Sequence, residues 1–250
     1  MKGLILLGSV AFLTDCTVMN AQTSAIPNSV RAVNTIERLT DSNGLGNNEM
    51  LYGIPLAPGG VVGDNYLTTD WSSSAILLYK NEKLIKGYPI RYDIAANQLN
   101  VKSSGGIKVL EGSAVKSFSM IDSARNNLKY FINAGEYTLD GSTMTGFFEV
   151  LVDGRVALFK RLRVVLKKAD YNSALDIGSR DDKIVKQATY YLNQTLVVTE
   201  LPSAKNKLAS LMGDRGDEVK DFIDRNKLSV RKEDDLVRIF QYYNSLLTIE

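Results

Sequence analysis

Residues 147–168 read FFEVLVDGRVALFKRLRVVLKK, two apolar runs joined by Asp153 and Gly154. An Asp-Gly pair between strand-like runs is a strong hairpin signal, because a type I′ turn needs positive φ at both central residues. With a two-residue loop, Val152 faces Arg155 and Phe148 faces Phe159, and the second pair would be a cross-strand aromatic contact. The sequence therefore predicts a β-hairpin centred on this turn.

This hairpin is apolar on both faces near its turn. Period-two spacing places six apolar residues on the face opposite Phe148 and Phe159: Leu151, Val156, Leu158, Leu162, Val164 and Leu166. Further from the turn, Arg161 and Arg163 replace the second apolar face. We therefore expect both sides to be covered, one by neighbouring strands and the other by helices.

Composition excludes more than it identifies. The chain has 250 residues, net charge +2, one cysteine and no histidine. The missing histidine removes the usual general base at neutral pH, the usual zinc ligand and every Ser-His or Cys-His nucleophile pair. The sequence therefore favours a non-enzymatic protein, with no catalytic residue, metal site or cofactor predicted.

The first residues are typical of a secretory signal peptide. Lys2 precedes an apolar run over 3–13, which is too short to span a bilayer, and small residues follow. We predict cleavage after Ala21, with Ala25 as the next choice. Residues 13–16 resemble a lipoprotein acylation box, but Asp15 is the wrong residue type, so lipidation of Cys16 is not expected. The predicted location is the periplasm or the extracellular space.

The remaining chain divides into a polar segment over 22–70 and an antiparallel β domain over 71–250. From residue 71, short apolar runs alternate with turn residues, which is typical of consecutive antiparallel strands. Pro89 cannot donate a ladder hydrogen bond, so we expect a bulge or an edge there. The predicted strands before the hairpin are 75–80, 84–94, 98–103, 107–110, 114–121 and 128–132, and a last hairpin joins 187–192 to 196–201.

From about residue 203 the apolar period changes from two to about 3.6, which predicts three helices. Ser203 and Ser229 are the predicted N-caps of the first and third, and Gly213 is the predicted stop of the first. The fold class is α+β: a mainly antiparallel meander, as an open curved sheet, a sandwich or a partial barrel, with the helices packed on it.

Three tracts carry a resemblance to a known group: 88–94 (YPIRYDI), 147–154 (FFEVLVDG) and 227–245, which begins KL and ends YYNS. Together they resemble uncharacterised secreted proteins of Bacteroidota. The resemblance implies export from a Gram-negative cell, with no activity or site residues to carry over. It also implies that Asp122-Ser123-Ala124 fits an O-glycosylation acceptor at Ser123.

Several residue sets contain side chains of the types used in catalysis or metal binding. Ser113 and Lys116 match a Ser-x-x-Lys pair, but strand alternation puts them on opposite faces. Asp140 and Glu149 could serve as a glycosidase-like carboxylate pair. A cluster of acidic residues could supply calcium ligands, but its spacing fits no known loop: Asp176, Asp181 and Asp182. The basic residues over 160–168 lack interleaved aromatic residues, so no nucleic-acid partner is expected.

The leading functional hypothesis is therefore an exported binding or structural module of the bacterial cell envelope. It would contact an unknown envelope protein through its sheet or its apolar helical face, with Phe148, Phe159, Phe240 and Tyr243 as the predicted interaction face. The alternative is a periplasmic carrier of an apolar ligand such as a lipid. A carboxylate-based hydrolase is a weaker alternative, and no membrane span is expected.

Overall fold

The computed structural model describes residues 60–122, 127–172 and 174–247. Their helices are α1 Lys205–Leu211, α2 Gly216–Arg225 and α3 Glu233–Leu247. The strands before the central hairpin are β1 Val61–Val62, β2 Ser72–Leu78, β3 Leu84–Asp93, β4 Gln98–Ser103, β5 Gly106–Glu111, β6 Val115–Asp122, β7 Asn127–Asn133, β8 Thr138–Leu139 and β9 Ser142–Thr143. The remaining strands are β10 Phe147–Val152, β11 Ala157–Lys167, β12 Asp182–Asn193 and β13 Val198–Glu200.

Over the described residues the fold is mostly β, with one large open sheet, a separate two-stranded hairpin and three α-helices. The sheet has eleven strands in the order β1-β12-β11-β10-β7-β6-β2-β3-β4-β5, with β13 also pairing with β12, while β8 and β9 form a separate hairpin. All pairs are antiparallel except β1 with β12. The path ends at β5, so one edge of that strand has no neighbouring strand among the described residues.

The sheet curls strongly on itself. Tyr92 on β3 and Phe147 on β10 lie four strand spacings apart along the sheet, about 19 Å if the sheet were flat. Their ring centroids are nevertheless only 5.2 Å apart, edge to face. We call the side that carries these two rings the inner face and the opposite side the outer face. The curl buries an aromatic cluster on the inner face that also includes Phe118 and Phe131.

The central hairpin forms, but its register differs from the predicted one. Phe159 pairs with Val150 rather than with Phe148, and a bulge shifts the register again so that Val152 pairs with Leu158. The predicted two-residue loop is therefore wrong, and Asp153 lacks the positive φ that a type I′ turn requires. The rings of Phe148 and Phe159 still stack, with centroids 5.3 Å apart, as diagonal neighbours instead of a direct pair.

Helix α3 explains the longer loop. The side-chain amide of Asn244 accepts a hydrogen bond from the Val156 N–H at 2.9 Å and donates one to the Val156 carbonyl at 2.8 Å. Arg155 donates to the Leu247 carbonyl oxygen at 3.0 Å. A Cβ on Gly154 would lie 2.9 Å from the Asn244 side chain, so this glycine allows the close approach. The helix thus satisfies backbone groups that a tight turn would have paired within the hairpin.

The two sides of the hairpin are covered as its apolar pattern predicts. On the inner face, Leu158 and Leu192 join a cluster with the helices, including Val219, Ile239 and Phe240. On the outer face, a second cluster lies near the β8–β9 hairpin and β13: Ala134, Met144, Phe148, Ala157, Phe159, Tyr191 and Val198. Because both faces of the hairpin are buried, its strand register is strongly specified.

Other sequence expectations have mixed outcomes. The bulge at Pro89 is confirmed, because the β2 register shifts between Ser73 and Ala75 opposite it, and Ser74 donates to the Tyr88 carbonyl oxygen. The β domain begins before residue 71, because Val61 pairs with Asp182 on β12.

The three predicted helices are present, but two of their predicted N-caps are wrong. The N-cap of α1 is Ala204 instead of Ser203, although Gly213 follows the helix with positive φ as expected. Ser229 is not the N-cap of α3, because that helix begins four residues later, at Glu233. The Ser229 backbone N–H donates to the Asp235 carboxylate. The signal-peptide region over 1–21, Cys16 and Ser123 lie outside the described residues.

Candidate functional site

A row of alternating charges crosses the inner face between the aromatic cluster and the helical cluster. We call it the ionic seam, and it consists of Asp122, Lys129, Glu149, Lys160 and Glu233. The first four lie on the adjacent strands β6, β7, β10 and β11, and Glu233 begins helix α3. The register places Glu149 directly opposite Lys160, so the centre of the seam follows from strand pairing.

The groups of the seam lie within ion-pair distance of one another. Lys160 Nζ is 2.8 Å from Glu233 Oε2 and 3.3 Å from Glu149 Oε2. Lys129 Nζ is 3.4 Å from Glu149 Oε1 and 3.2 Å from Asp122 Oδ2. Glu149 is only 6% exposed, so these lysines replace water as the neighbours of its carboxylate.

The electrostatics of the seam oppose a catalytic role. Burial lowers the pKa of Lys160, but Glu149 and Glu233 outweigh it, and the net pKa lies above its usual value. A nucleophilic lysine needs a lowered pKa, so this amine stays protonated. Burial raises the pKa of Glu233, but the hydrogen bond and charge of Lys160 hold it below the usual range. The seam therefore ties α3 to the sheet as a set of fixed charges.

The seam has a testable pH dependence. Glu233 has a lowered folded-state pKa, so its stabilisation is present above about pH 4.3, the unfolded value, and is lost as pH falls through the folded pKa. Lys160 has a raised pKa, so its stabilisation is present below about pH 10.4 and is lost as pH rises through the folded value. Urea unfolding from pH 2 to 11 should show a plateau between about pH 5 and 10.

The matched variants for this experiment are Glu233→Gln and Glu218→Gln. Glu218 lies on α2 and makes an exposed pair with Arg215. We expect the first substitution to flatten the acid limb of the stability curve and the second to leave it unchanged. An acid limb with the same slope in Glu233→Gln and the wild type would contradict the role of the seam.

The predicted interaction face is buried. Phe148, Phe159, Phe240 and Tyr243 all lie in the core and pack within the chain. Tyr243 also donates a hydrogen bond to the Met212 carbonyl oxygen. The sheet and the helices cover one another at these side chains, so the residues present no surface to a partner.

The candidate residues for catalysis and metal binding do not come together to form a site. Asp140 is exposed in the turn between β8 and β9, against the outer face, whereas Glu149 lies on the inner face, so they do not flank a common cleft. Lys116 pairs with Glu82, and Ser113 lies in an exposed 3-10 turn. Among the described residues, no three acidic, cysteine or histidine side chains lie close enough to hold a metal ion.

Neither of two hollows in the described part of the chain offers a pocket for a carried lipid. The cavity beside Tyr92, Phe147 and Lys160 has a volume of about 10 Å³, room for about one water molecule. Sites for drug-sized ligands occupy about 300–1,000 Å³. A second, larger hollow of about 370 Å³ is an open polar surface between α1 and α2, lined by Asn206, Asp214 and Lys220. Neither matches an apolar ligand pocket.

The outer side of β3, β4 and β5 carries exposed apolar residues next to aromatic and cationic side chains. We call it the outer β3–β5 face, and it comprises Tyr66, Trp71, Arg91, Asn100, Lys102, Ile107 and Val109. Ile107 and Val109 are 59% and 53% exposed on the free edge strand. Exposed apolar residues beside an unpaired strand edge are normally avoided, because they invite another strand to pair.

Sequence reasoning missed this surface because its members are far apart in the chain. Tyr66, Trp71 and Arg91 meet only because Tyr66 forms a bridge with Asp93 and Ser72 pairs with Ile90. The alternation in β4 and β5 was visible, but it does not say which strand ends the sheet. Exposed apolar residues also occur at the far end of β11 and β12, including Val165 and Val185.

Comparisons with family models, with curated proteins and with solved structures found no match to this chain. Within the part of the chain that the structure describes, no helix has the length and apolar character needed to cross a bilayer.

Proposed function

We propose that this protein is an exported, non-enzymatic binding module of the bacterial cell envelope, and that it binds its partner through the outer β3–β5 face. The observation that carries the proposal is the free edge of β5, with Ile107 and Val109 exposed beside it. The curled sheet, which we interpret as a partial barrel, and the ionic seam supply a rigid support for this surface. The predicted signal peptide supports export.

The proposed mode of binding is strand addition. An extended segment of a partner can form main-chain hydrogen bonds with an exposed sheet edge, while pockets and apolar contacts for alternate side chains give specificity. On β5, Ile107 and Val109 point to one side and Lys108 to the other. A partner strand with apolar residues at alternate positions would therefore cover the exposed pair and satisfy the free edge.

The test compares the wild type with Val109→Lys as immobilised baits for envelope fractions. Because lysine is a residue that protects natural strand edges, we expect this substitution to reduce specific capture by about tenfold. Leu196→Lys is the matched control, since Leu196 is equally exposed but lies in the loop before β13. Hydrogen exchange of the captured complex should show new protection of the β5 amides.

Two results would overturn the proposal. One is equal capture of the same partner by the wild type and Val109→Lys. The other is a complex in which protection appears elsewhere and β5 stays unprotected. For export, the intact mass of protein recovered from the periplasm or medium should correspond to a chain that begins at Gln22, and a diacylglycerol adduct on Cys16 would contradict the predicted processing.

A further inference from the structure

Arg91 is held between two aromatic rings on the outer β3–β5 face. Its guanidinium carbon lies 4.2 Å from the ring centroid of Tyr66 and 4.5 Å from that of Trp71. Lys102 on the neighbouring strand adds a second cation, with Nζ 5.9 Å from the Trp71 ring. A guanidinium stacked on rings in this way has a fixed plane, so the directions of its N–H groups are fixed as well.

The hydrogen-bonding groups of Arg91 are not used within the described part of the chain. Its Nε is buried and has no hydrogen-bond partner, and no ion pair with a described carboxylate forms. The carboxylate of Asp93, on the same side of β3, accepts a hydrogen bond from the Ala96 N–H in its own turn. Asn100, directly opposite Arg91, donates to the Tyr66 hydroxyl.

An arginine with this surrounding is unusual for a purely structural residue. Leaving a donor buried and unpaired is unfavourable, and stacking on aromatic faces offsets only part of that cost. Structural arginines usually pair with carboxylates or carbonyl oxygens. Here the two rings instead orient the guanidinium without neutralising it, and Lys102 strengthens the local positive charge.

We propose that Arg91, assisted by Lys102, binds an anionic oxygen group of the ligand that covers the outer β3–β5 face: a carboxylate, sulfate or phosphate. The planar guanidinium matches the two oxygens of such a group, and its fixed orientation reduces the entropy lost on binding. This inference deepens the proposed function by naming the chemistry that the surface recognises. It rests on the assignment of this face as the binding surface.

Trp71 provides a direct readout, because it is the only tryptophan in the chain and its ring contacts Arg91. The full-length protein would be titrated with sulfated dextran, uncharged dextran, sodium sulfate, sodium phosphate and sodium citrate while Trp71 fluorescence is followed. We expect a saturable change with at least one anion and none with uncharged dextran. A response to the free ions indicates a small oxyanion site, and a response to sulfated dextran alone indicates an anionic polymer.

The variants are Arg91→Lys, Lys102→Met and Lys207→Met. Arg91→Lys keeps the charge but loses the planar pair of donors, so we expect affinity to fall about tenfold or more. Lys102→Met should weaken binding by a smaller factor, because the lysine lies further from the stack. Lys207→Met removes an exposed cation on α1 and should bind like the wild type. Thermal melts confirm that each variant is folded.

The proposal fails if no anion changes the fluorescence, if uncharged dextran acts like sulfated dextran, or if Arg91→Lys binds as tightly as the wild type. These outcomes are distinct from failure of the proposed function. If only this inference is wrong, no anion binds, but the wild type still captures its partner and Val109→Lys still captures less of it. Conversely, anion binding that depends on Arg91 can persist when no partner strand pairs with β5.

Discussion

Replacing Phe148 by alanine is expected to lower the free energy of unfolding by about 4 kcal/mol, as for other fully buried phenylalanines. The side chain is 0% exposed, and its ring lies within 5.3 Å of Phe159, 5.6 Å of Tyr137 and 5.3 Å of Tyr191, measured between centroids. The substitution leaves a cavity between the outer face of the hairpin and the elements that cover it. Urea denaturation followed by circular dichroism measures the change.

The matched control is Tyr130→Ala on the neighbouring strand β7. Tyr130 is 47% exposed, so we expect a loss below about 0.5 kcal/mol. A loss below about 1.5 kcal/mol for Phe148→Ala would contradict the packing described for the outer face, because deletion of a buried aromatic ring cannot cost so little unless the site is solvated.

Replacing Lys160 by methionine is expected to destabilise the fold by about 3 kcal/mol, the lower end of the range for breaking a buried ion pair. The substitution leaves Glu149 buried with Lys129 as its remaining ion-pair partner, and Glu233 with the hydroxyl of Tyr190, which donates at 3.0 Å. Methionine keeps most of the side-chain volume, so the loss of stability comes from the missing charge and not from a cavity. The measurement is again urea denaturation at neutral pH.

A double-mutant cycle with Glu149→Gln measures the interaction energy between Lys160 and Glu149 apart from the other effects of each substitution. The double variant should lose less stability than the sum of the two single variants, because each single change removes the same Lys160–Glu149 ion pair. Lys116→Met breaks the exposed pair with Glu82 and should cost no more than about 1 kcal/mol. Additive losses in the cycle would show that Lys160 and Glu149 do not act together.

The alternation of apolar and polar residues was sufficient to predict most strands and all three helices of the described chain. The hairpin register was not predictable in the same way, because the turn signal of Asp153 and Gly154 is local. Asn244 outweighs it by bonding both backbone groups of Val156. A local rule fails at this point because a tertiary contact offers the backbone a different set of partners.

The ionic seam and the stacked Arg91 were harder to predict than the fold. Glu149 was named as a catalytic candidate, but its true neighbours come from β7 and β11, and α3 completes the seam. The stacking of Arg91 has no local sequence signal, because its aromatic partners precede it by 20 residues or more. Such groups become visible only when strand order and register are known.

The contact between Asn244 and Val156 also bears on synthesis of the chain. These residues are 88 positions apart, so the loop of the hairpin cannot acquire its final hydrogen bonds until α3 has left the ribosome. Until then a nascent chain that ends near residue 200 would present Leu158 and Leu192 without their helical cover. Because exposed apolar strands of this kind promote aggregation, the time taken to synthesise the last 50 or so residues is the interval in which these strands lack their helical cover.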